Sequence, residues 1–243
     1  MTLEDIDYLK ALKESARKSG ATQMRSSGIA AAPVAVDTPG AAKAGKTEGL
    51  PADYVPSESE LRKYLESWDN LGDYVAHEEA LSMIFREDPN FRQNTDLRCI
   101  IIKCSALNDF YATKIFRIAP VAKKISEIPD FDERLAMGDD TLVDEIARVD
   151  DRRNYSFATK YCSHHQPLLY PIFDRYVCDV LAELCRRNPD GFRFRYKKAL
   201  TDYPTFRGAI DDFRRAYGLD AYSYKDIDRY LWQLGKEFYN PYD

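Results

Sequence analysis

A mostly α-helical fold is what this chain of 243 residues predicts, and three observations carry it. Apolar residues recur at three- and four-residue intervals in segment after segment. Ser, Asp and Pro stand where helices should begin, and Gly or Asn-Pro-Asp-Gly where they should stop. Alternating, strand-like runs are scarce, and there is neither an internal repeat nor a Gly-rich phosphate loop.

Taken in order, residues 1–19 have Ile6, Leu9, Leu12 and Ala16 on one side, which predicts a short amphipathic helix. It is an appendage, either a frayed tail or a segment that holds a protein partner. Residues 20–55 are rich in Ala, Gly, Pro, Ser and Thr. Such a composition buries too little apolar surface to offset its ordering entropy, so a flexible linker is expected. A globular helical domain is expected over 56–243. Ser57-Glu58-Ser59-Glu60 has capping-box form, followed by Leu61, Tyr64, Leu65 and Trp68 at helical spacing. His77 to Phe85 predicts a second helix, and Asp88-Pro89-Asn90 a turn. Thr95 to Ile118 keeps one helical period through Leu97, Ile100, Ile101, Cys104, Leu107, Tyr111 and Ile115. Shorter helices are expected over Val121–Ile125 and, capped by Asp139 or Asp140, over Thr141–Val149. Beyond Asn188-Pro189-Asp190-Gly191, Phe192–Tyr196 reads as a short strand or as the start of a helix through Leu200. Tyr203–Tyr217, stopped by Gly218, and Ser223–Glu237 complete about nine helices.

No apolar run reaches the roughly 20 residues of a membrane span, and the charged N-terminus lacks a signal-peptide core, so a cytoplasmic protein is expected. Five cysteines, odd in number and without a CxxC pair, fit buried thiols in a reducing compartment. No Cys/His spacing suits a metal; His164 and His165 are neighbours and diverge on a helix. No metal or cofactor is expected. A net charge of −5 and a pI near 5.4 speak against a surface that binds nucleic acid throughout, though not against a local basic cleft.

The chemistry gathers in Tyr155–Val177, YSFATKYCSHHQPLLYPIFDRYV, where Ser156, Phe157, Lys160, Tyr161 and His164 share helical spacing up to Pro167. Asp174 opens the next apolar-periodic run. It is either a helix cap or a carboxylate held ready to activate water or stabilise a cation. Lys160 is a surface lysine or an amine with a lowered pKa able to form a Schiff base. Tyr161, His164 and His165 would line such a pocket, and a helix C-terminus also favours His⁺ through the dipole alone. Arg186–Lys198 is a local reversal of sign. There Arg193, Arg195, Lys197 and Lys198 interleave with Phe192, Phe194 and Tyr196, as a backbone groove with base stacking would require, or as a solvated face over three core aromatics. Asn108, in Ser105-Ala106-Leu107-Asn108-Asp109, is a polar turn on a very apolar helix.

Two segments together resemble the helix-hairpin-helix DNA glycosylase superfamily, nearest its 8-oxoguanine glycosylase branch. DLRCIIIKCSALNDFYATKIFRIAPVAKKI is similar to an early apolar helix running into a polar turn, and YPIFDRYVCDVL to the segment of Pro, apolar residues, catalytic Asp and helix. The likeness covers about residues 57–240 in architecture and those two segments in sequence. It implies a compact helical domain and a DNA-repair hydrolase acting on an extruded, oxidised base in double-stranded DNA, with no membrane partner. Asp174 takes the catalytic Asp position and Asn108 lies by the polar residues facing the extruded nucleotide. The catalytic lysine, which gives abasic lyase activity, falls on Lys160, 174 − 160 = 14 positions before the Asp. The family's Gly-rich hairpin is replaced by Arg152-Arg153-Asn154-Tyr155-Ser156, so either the side chains of Arg152, Arg153 and Ser156 take over phosphate contact or DNA binding has been lost. The alternatives are a non-catalytic nucleic-acid- or protein-binding module on the same fold, or a structural helical partner protein.

Overall fold

The computed structural model describes residues 49–240; the expected N-terminal helix over 1–19 and most of the expected linker lie outside the described residues. The described residues form ten α-helices with little else: α1 (Glu58–Trp68), α2 (Gly72–Ser82), α3 (Leu97–Phe110), α4 (Ile118–Ser126), α5 (Phe131–Ala136), α6 (Thr141–Ala147), α7 (Tyr155–His165), α8 (Arg175–Arg187), α9 (Tyr203–Ala216) and α10 (Tyr224–Tyr239). A π-helical turn, Met83–Glu87, extends α2. A two-residue hairpin, β1 (Arg148–Val149) against β2 (Arg152–Arg153), joins α6 to α7, with Arg148 opposite Arg153 and Val149 opposite Arg152.

The caps explain most boundaries. Ser57 Oγ accepts the Glu60 amide at 3.3 Å, which is the first half of the expected capping box. Asp139, not Asp140, holds the start of α6: its Oδ1 accepts the Thr141 amide at 2.9 Å. Ser223 and Asp226 form a complete capping box at α10. Gly218 ends α9 in the left-handed region, φ +67°.

Several boundaries differ from the sequence expectation: α2 begins at Gly72, five residues before the expected His77, and Arg148–Val149, expected at the end of α6, is strand. The long segment after Thr95 stops being helical at Phe110, because Ala112 and Lys114 take φ of 47° and 60°. The Asn108 side chain fixes that exit: its Oδ1 accepts the Ile115 amide at 2.9 Å and the Thr113 hydroxyl at 2.7 Å. Phe192–Tyr196 is neither strand nor helix; Phe192 and Phe194 sink into the core from irregular backbone. Phe131–Ala136 forms a helix where none is expected, too short to show a period. Residues 49–55 belong to the domain although their composition reads as linker: Leu50 is buried, and Arg187 donates to the Leu50 and Pro51 carbonyls at 2.6 and 2.7 Å.

The core is continuous across the helices, and α10 packs on both α8 and α1. The α8–α10 crossing is closest at Gly235, where a Cβ would lie 2.7 Å from both the Cβ and the carbonyl oxygen of Tyr176. No helix among the described residues is long and apolar enough to cross a membrane. Gly235→Ala must push α8 from α10, and overpacking of this kind costs about 1–3 kcal/mol. A lowered urea midpoint with an unchanged m-value is the expected outcome.

Candidate active site

Five helices meet around a cavity of about 70 Å³ lined by Trp68, Tyr74, His77, Glu78, Leu81, Phe110, Tyr111, Lys160, Ile172, Asp174, Lys225, Asp228 and Trp232. Helical spacing puts these groups there. Tyr74, His77, Glu78 and Leu81 are one face of α2, and Lys225, Asp228 and Trp232 one face of α10. The walls are rings: Trp232 meets Trp68 and Tyr74 edge-on at 6.0 and 4.9 Å, and His77 stacks flat on Phe110 at 4.2 Å.

Lys160 lies on the cavity wall with a side chain only 4% exposed, and its Nζ is 3.9 Å from Asp174 Oδ2. It donates to Ser156 Oγ at 2.7 Å and to the Phe173 carbonyl at 3.2 Å, and stands 5.0 Å from the Tyr111 ring centre. A lysine has three hydrogens to place, so one is left without an acceptor among the described residues. Burial pulls the Lys160 pKa below that of an ordinary lysine, with Asp174 and Asp228 working against it. Asp174 has two tasks. Its Oδ1 caps α8 by accepting the Tyr176 amide at 2.8 Å, and the 25%-exposed side chain also faces the cavity.

The segment Tyr170–Asp174 is fastened to α7 by side chains. Thr159 Oγ1 accepts the Phe173 amide at 3.1 Å, and Ser156 Oγ donates to the Phe173 carbonyl at 3.1 Å. Ser156 is half-buried and its hydroxyl is engaged with Lys160 and the Phe173 carbonyl.

Three more charged groups share the cavity. Glu78 is paired with Lys225 and Arg229, each at 2.9 Å. Burial opposes its ionisation, but the two cations outweigh it and lower its pKa. Asp228 is pushed up to about 6, chiefly by burial. Neither Glu78, Lys225 nor Asp228 is singled out by the sequence, although Lys225, Asp228 and Trp232 at i, i+3, i+7 form a legible second stripe beside the apolar one.

The other sequence candidates lie apart from the cavity lining. Tyr161 is fully buried and donates to Asn94 Oδ1 at 2.5 Å. His164 Nε2 bonds the Tyr111 hydroxyl at 2.9 Å, and His165 Nε2 faces Lys103 Nζ at 3.3 Å. Burial holds both imidazoles well below the ordinary histidine pKa, so they are neutral core groups. Asn108 is occupied by its own loop. Lys103, missed by the sequence reading, is a second fully buried lysine; burial lowers its pKa to about 8. Its acceptors are the Phe91 and Gln93 carbonyls and Asn94 Oδ1, at 2.9, 3.3 and 2.7 Å.

Of the expected DNA-contacting cations, most have internal partners. Arg193 pairs with the buried Asp212 at 2.9 Å. Arg195 donates to the Pro189, Phe192 and Phe194 carbonyls, and Lys197 pairs with Asp179. Arg153 holds Asp144 and the Thr201 carbonyl at 2.7 and 2.8 Å. Lys198 has no ion pair among the described residues, and Arg152 only lies over the Phe116 ring at 6.0 Å. Among the described residues no group of His, Cys, Asp and Glu could hold a metal, and no disulfide forms.

Fold and cavity together define a mostly helical protein with a buried lysine beside a capping aspartate. The HI_0787_N family model, an N-terminal domain, matches residues 60–169. That span carries Glu78, Tyr111 and Lys160 but ends before Asp174 and Asp228. An uncharacterised protein of Haemophilus influenzae is 43% identical over 136 residues, 54% of this chain. The chain covers 64% of that protein's length. No solved structure matches.

The buried histidines have a consequence for stability. Unfolded, each binds a proton below pH 6.5, and folded it does not. Stability is therefore full above that pH and falls on acidification, by up to about 1.4 kcal/mol per pH unit for each histidine. Asp228, whose folded pKa is raised to about 6, works in the opposite sense below that pH. Urea unfolding free energies are expected to drop from neutral pH to about pH 5.5, and His164→Gln with His165→Gln to flatten the slope.

Proposed function

We propose that this protein acts on an extruded nucleotide in double-stranded DNA as a glycosylase-like enzyme with abasic lyase chemistry, using the Lys160 amine as nucleophile. One observation carries the reading: a desolvated lysine with a spare hydrogen lies 3.9 Å from a helix-capping carboxyl group, inside an aromatic-walled cavity. Desolvation favours the neutral amine. The amine attacks the sugar carbon that bears the base, the bond to the base breaking as the base leaves with its electron pair, or, at an abasic site, the aldehyde carbon, whose C=O π electrons move to oxygen. Asp174 stands where a developing cation on that carbon would be stabilised. At about 70 Å³ the cavity is well below the roughly 300–1,000 Å³ of ordinary ligand sites. It suits a reacting sugar carbon better than a whole purine.

Two further features support the reading. Lys160 is on the second helix of a helix–turn–helix unit, α6 to α7, and Asp150 in the turn has φ 51°, the conformation a glycine commonly supplies. The loop leaving α3 carries Tyr111 at its root in the cavity and Phe116 at its tip, 86% exposed. Arg152 lies over that ring at 6.0 Å, and Lys114 and Arg117 are exposed sequence neighbours of Phe116; none of the three has an ion pair among the described residues. This small basic-aromatic patch takes the place in the reading that the Arg193–Lys198 run had.

The internal pairing of Arg153, Arg193 and Lys197 leaves fewer cations to hold a duplex in one register for turnover, which favours the second reading, a non-catalytic nucleic-acid- or protein-binding module.

Incubation with a duplex bearing one abasic site and borohydride tests the first reading. The wild type is expected to form a trapped adduct and cut the strand, and Lys160→Met to form none. Asp174→Asn keeps a good cap but should slow the adduct by about 10²-fold. Binding without any adduct selects the second reading, and absence of both ends the nucleic-acid assignment. In the same duplex, Lys114→Ala with Arg152→Ala is expected to weaken binding and to make the salt dependence shallower by about two counterions.

A further inference from the structure

The cavity holds three carboxyl groups, and they are not equivalent. Glu78 is closed by two cations at 2.9 Å each. Asp174 has one oxygen bonded to the Tyr176 amide at 2.8 Å. Asp228 accepts no hydrogen bond from any described residue, and its ion-pair partner, Lys225, is 3.9 Å away and lies nearer to Glu78. The Asp228 side chain is 15% exposed, in the same lining as Lys160. A carboxyl group without a donor, in the same cavity as an amine with a hydrogen to spare, is fitted to take up a proton.

We propose that Asp228 is the proton-transfer group of the Lys160 centre, removing a proton from the amine before attack and returning it to the oxygen that leaves the sugar carbon as water. This rests on the reading of Lys160 as nucleophile. The Lys160 ammonium gives one proton to the Asp228 carboxylate through a water in the cavity they share. The free amine adds to the aldehyde carbon, whose oxygen becomes an alkoxide, and the nitrogen passes a second proton to that oxygen to make a hydroxyl group. Asp228 then protonates that hydroxyl, the C–O bond breaks with loss of water, and the C=N bond of the Schiff base forms. Charge and hydrogens balance, and Asp228 ends as it began.

Charged and hydroxyl-bearing groups reach the cavity around Asp228 from several elements, among apolar walls that include Trp68, Phe110 and Ile172. On its own helix these are Lys225 and Arg229; from α2 comes Glu78, with His77 one residue before it; from the other side come Lys160, Asp174 and the Tyr111 ring. Burial raises the Asp228 pKa to about 6, the lysines Lys225 and Lys160 pull it back, and Asp174 and Glu78 raise it further. A group titrating there exchanges protons in both directions near neutral pH.

The test is single-turnover borohydride trapping on the abasic duplex between about pH 5 and 8. For the wild type the adduct rate should bend near the Asp228 pKa. Asp228→Asn should lose that bend and fall by about 10²-fold or more, and Asp228→Glu should recover much of the rate with the bend displaced. A rate for Asp228→Asn within roughly threefold of wild type, with the bend retained, overturns the proposal and leaves Lys160 as nucleophile untouched. A wild type that forms no adduct overturns both. Should Asp228→Asn lose cooperative unfolding, the glutamate variant decides: a bend unmoved from that of the wild type counts against Asp228.

Discussion

The placement of everything in the cavity depends on how one buried ammonium group is satisfied. Removing a charge from water costs several kcal/mol unless partners replace the solvent. Lys160 finds them in Ser156 one turn back and in the Phe173 carbonyl. Phe173 belongs to a stretch that leaves Pro171 without regular structure and has no ladder of its own. Its amide and carbonyl are satisfied by Thr159, Ser156 and Lys160, all on α7. The stretch is thereby pinned to that helix, and Asp174, the next residue, starts α8 beside the amine. The cap and the pair are one arrangement: the residue that begins the helix is the residue the lysine holds in reach.

Lys103 makes clear what is particular to Lys160. Both are buried, and burial lowers both. Lys103 meets three oxygen acceptors and one imidazole nitrogen, at least as many partners as it has hydrogens, and lies in the core rather than on the cavity wall. It ties the turn after the π-helical segment to α3. Lys160 meets two acceptors and opens onto space. The same residue type, equally hidden, is a structural clamp where its hydrogens are used up and a chemical group where one is left over.

Helix existence was legible in the sequence because burial at three- and four-residue spacing leaves a trace in composition. The ends were less so, since they depend on side-chain bonds that spacing does not reveal. The continuous period from Thr95 to Ile118 hides an exit that Asn108 enforces by bonding Thr113 and Ile115. The Tyr155–Val177 stretch contains Lys160 and Asp174, which do share a cavity. Tyr161 and His165 face the other way along α7 and meet Phe85 and Lys103, while His164, one turn beyond Lys160, bonds the hydroxyl of Tyr111 behind the cavity wall. A helix distributes neighbours in sequence over different faces, so density of reactive residues is a poor guide to which of them meet. Glu78 and Asp228 were out of reach for the opposite reason: they lie 150 positions apart in sequence and only folding joins them.

The basic run after Arg186 shows how a charge pattern can be used up inside a structure. Phe192 and Phe194 must be buried, and the backbone carrying them is irregular, so it leaves carbonyls and a carboxylate without regular partners. Arg195 bonds three of those carbonyls, and Arg193 neutralises Asp212, whose side chain is only 2% exposed. These cations stabilise a loop that has no hydrogen-bond ladder. A phosphate could recruit them only by displacing bonds that the loop needs, including those of a buried carboxylate. The exposed cations around Phe116 carry no such cost, and their loop is braced by Asn108 and rooted at Tyr111. A polyanion would meet the protein most readily there, at the end of the α3 loop whose other end forms the cavity wall.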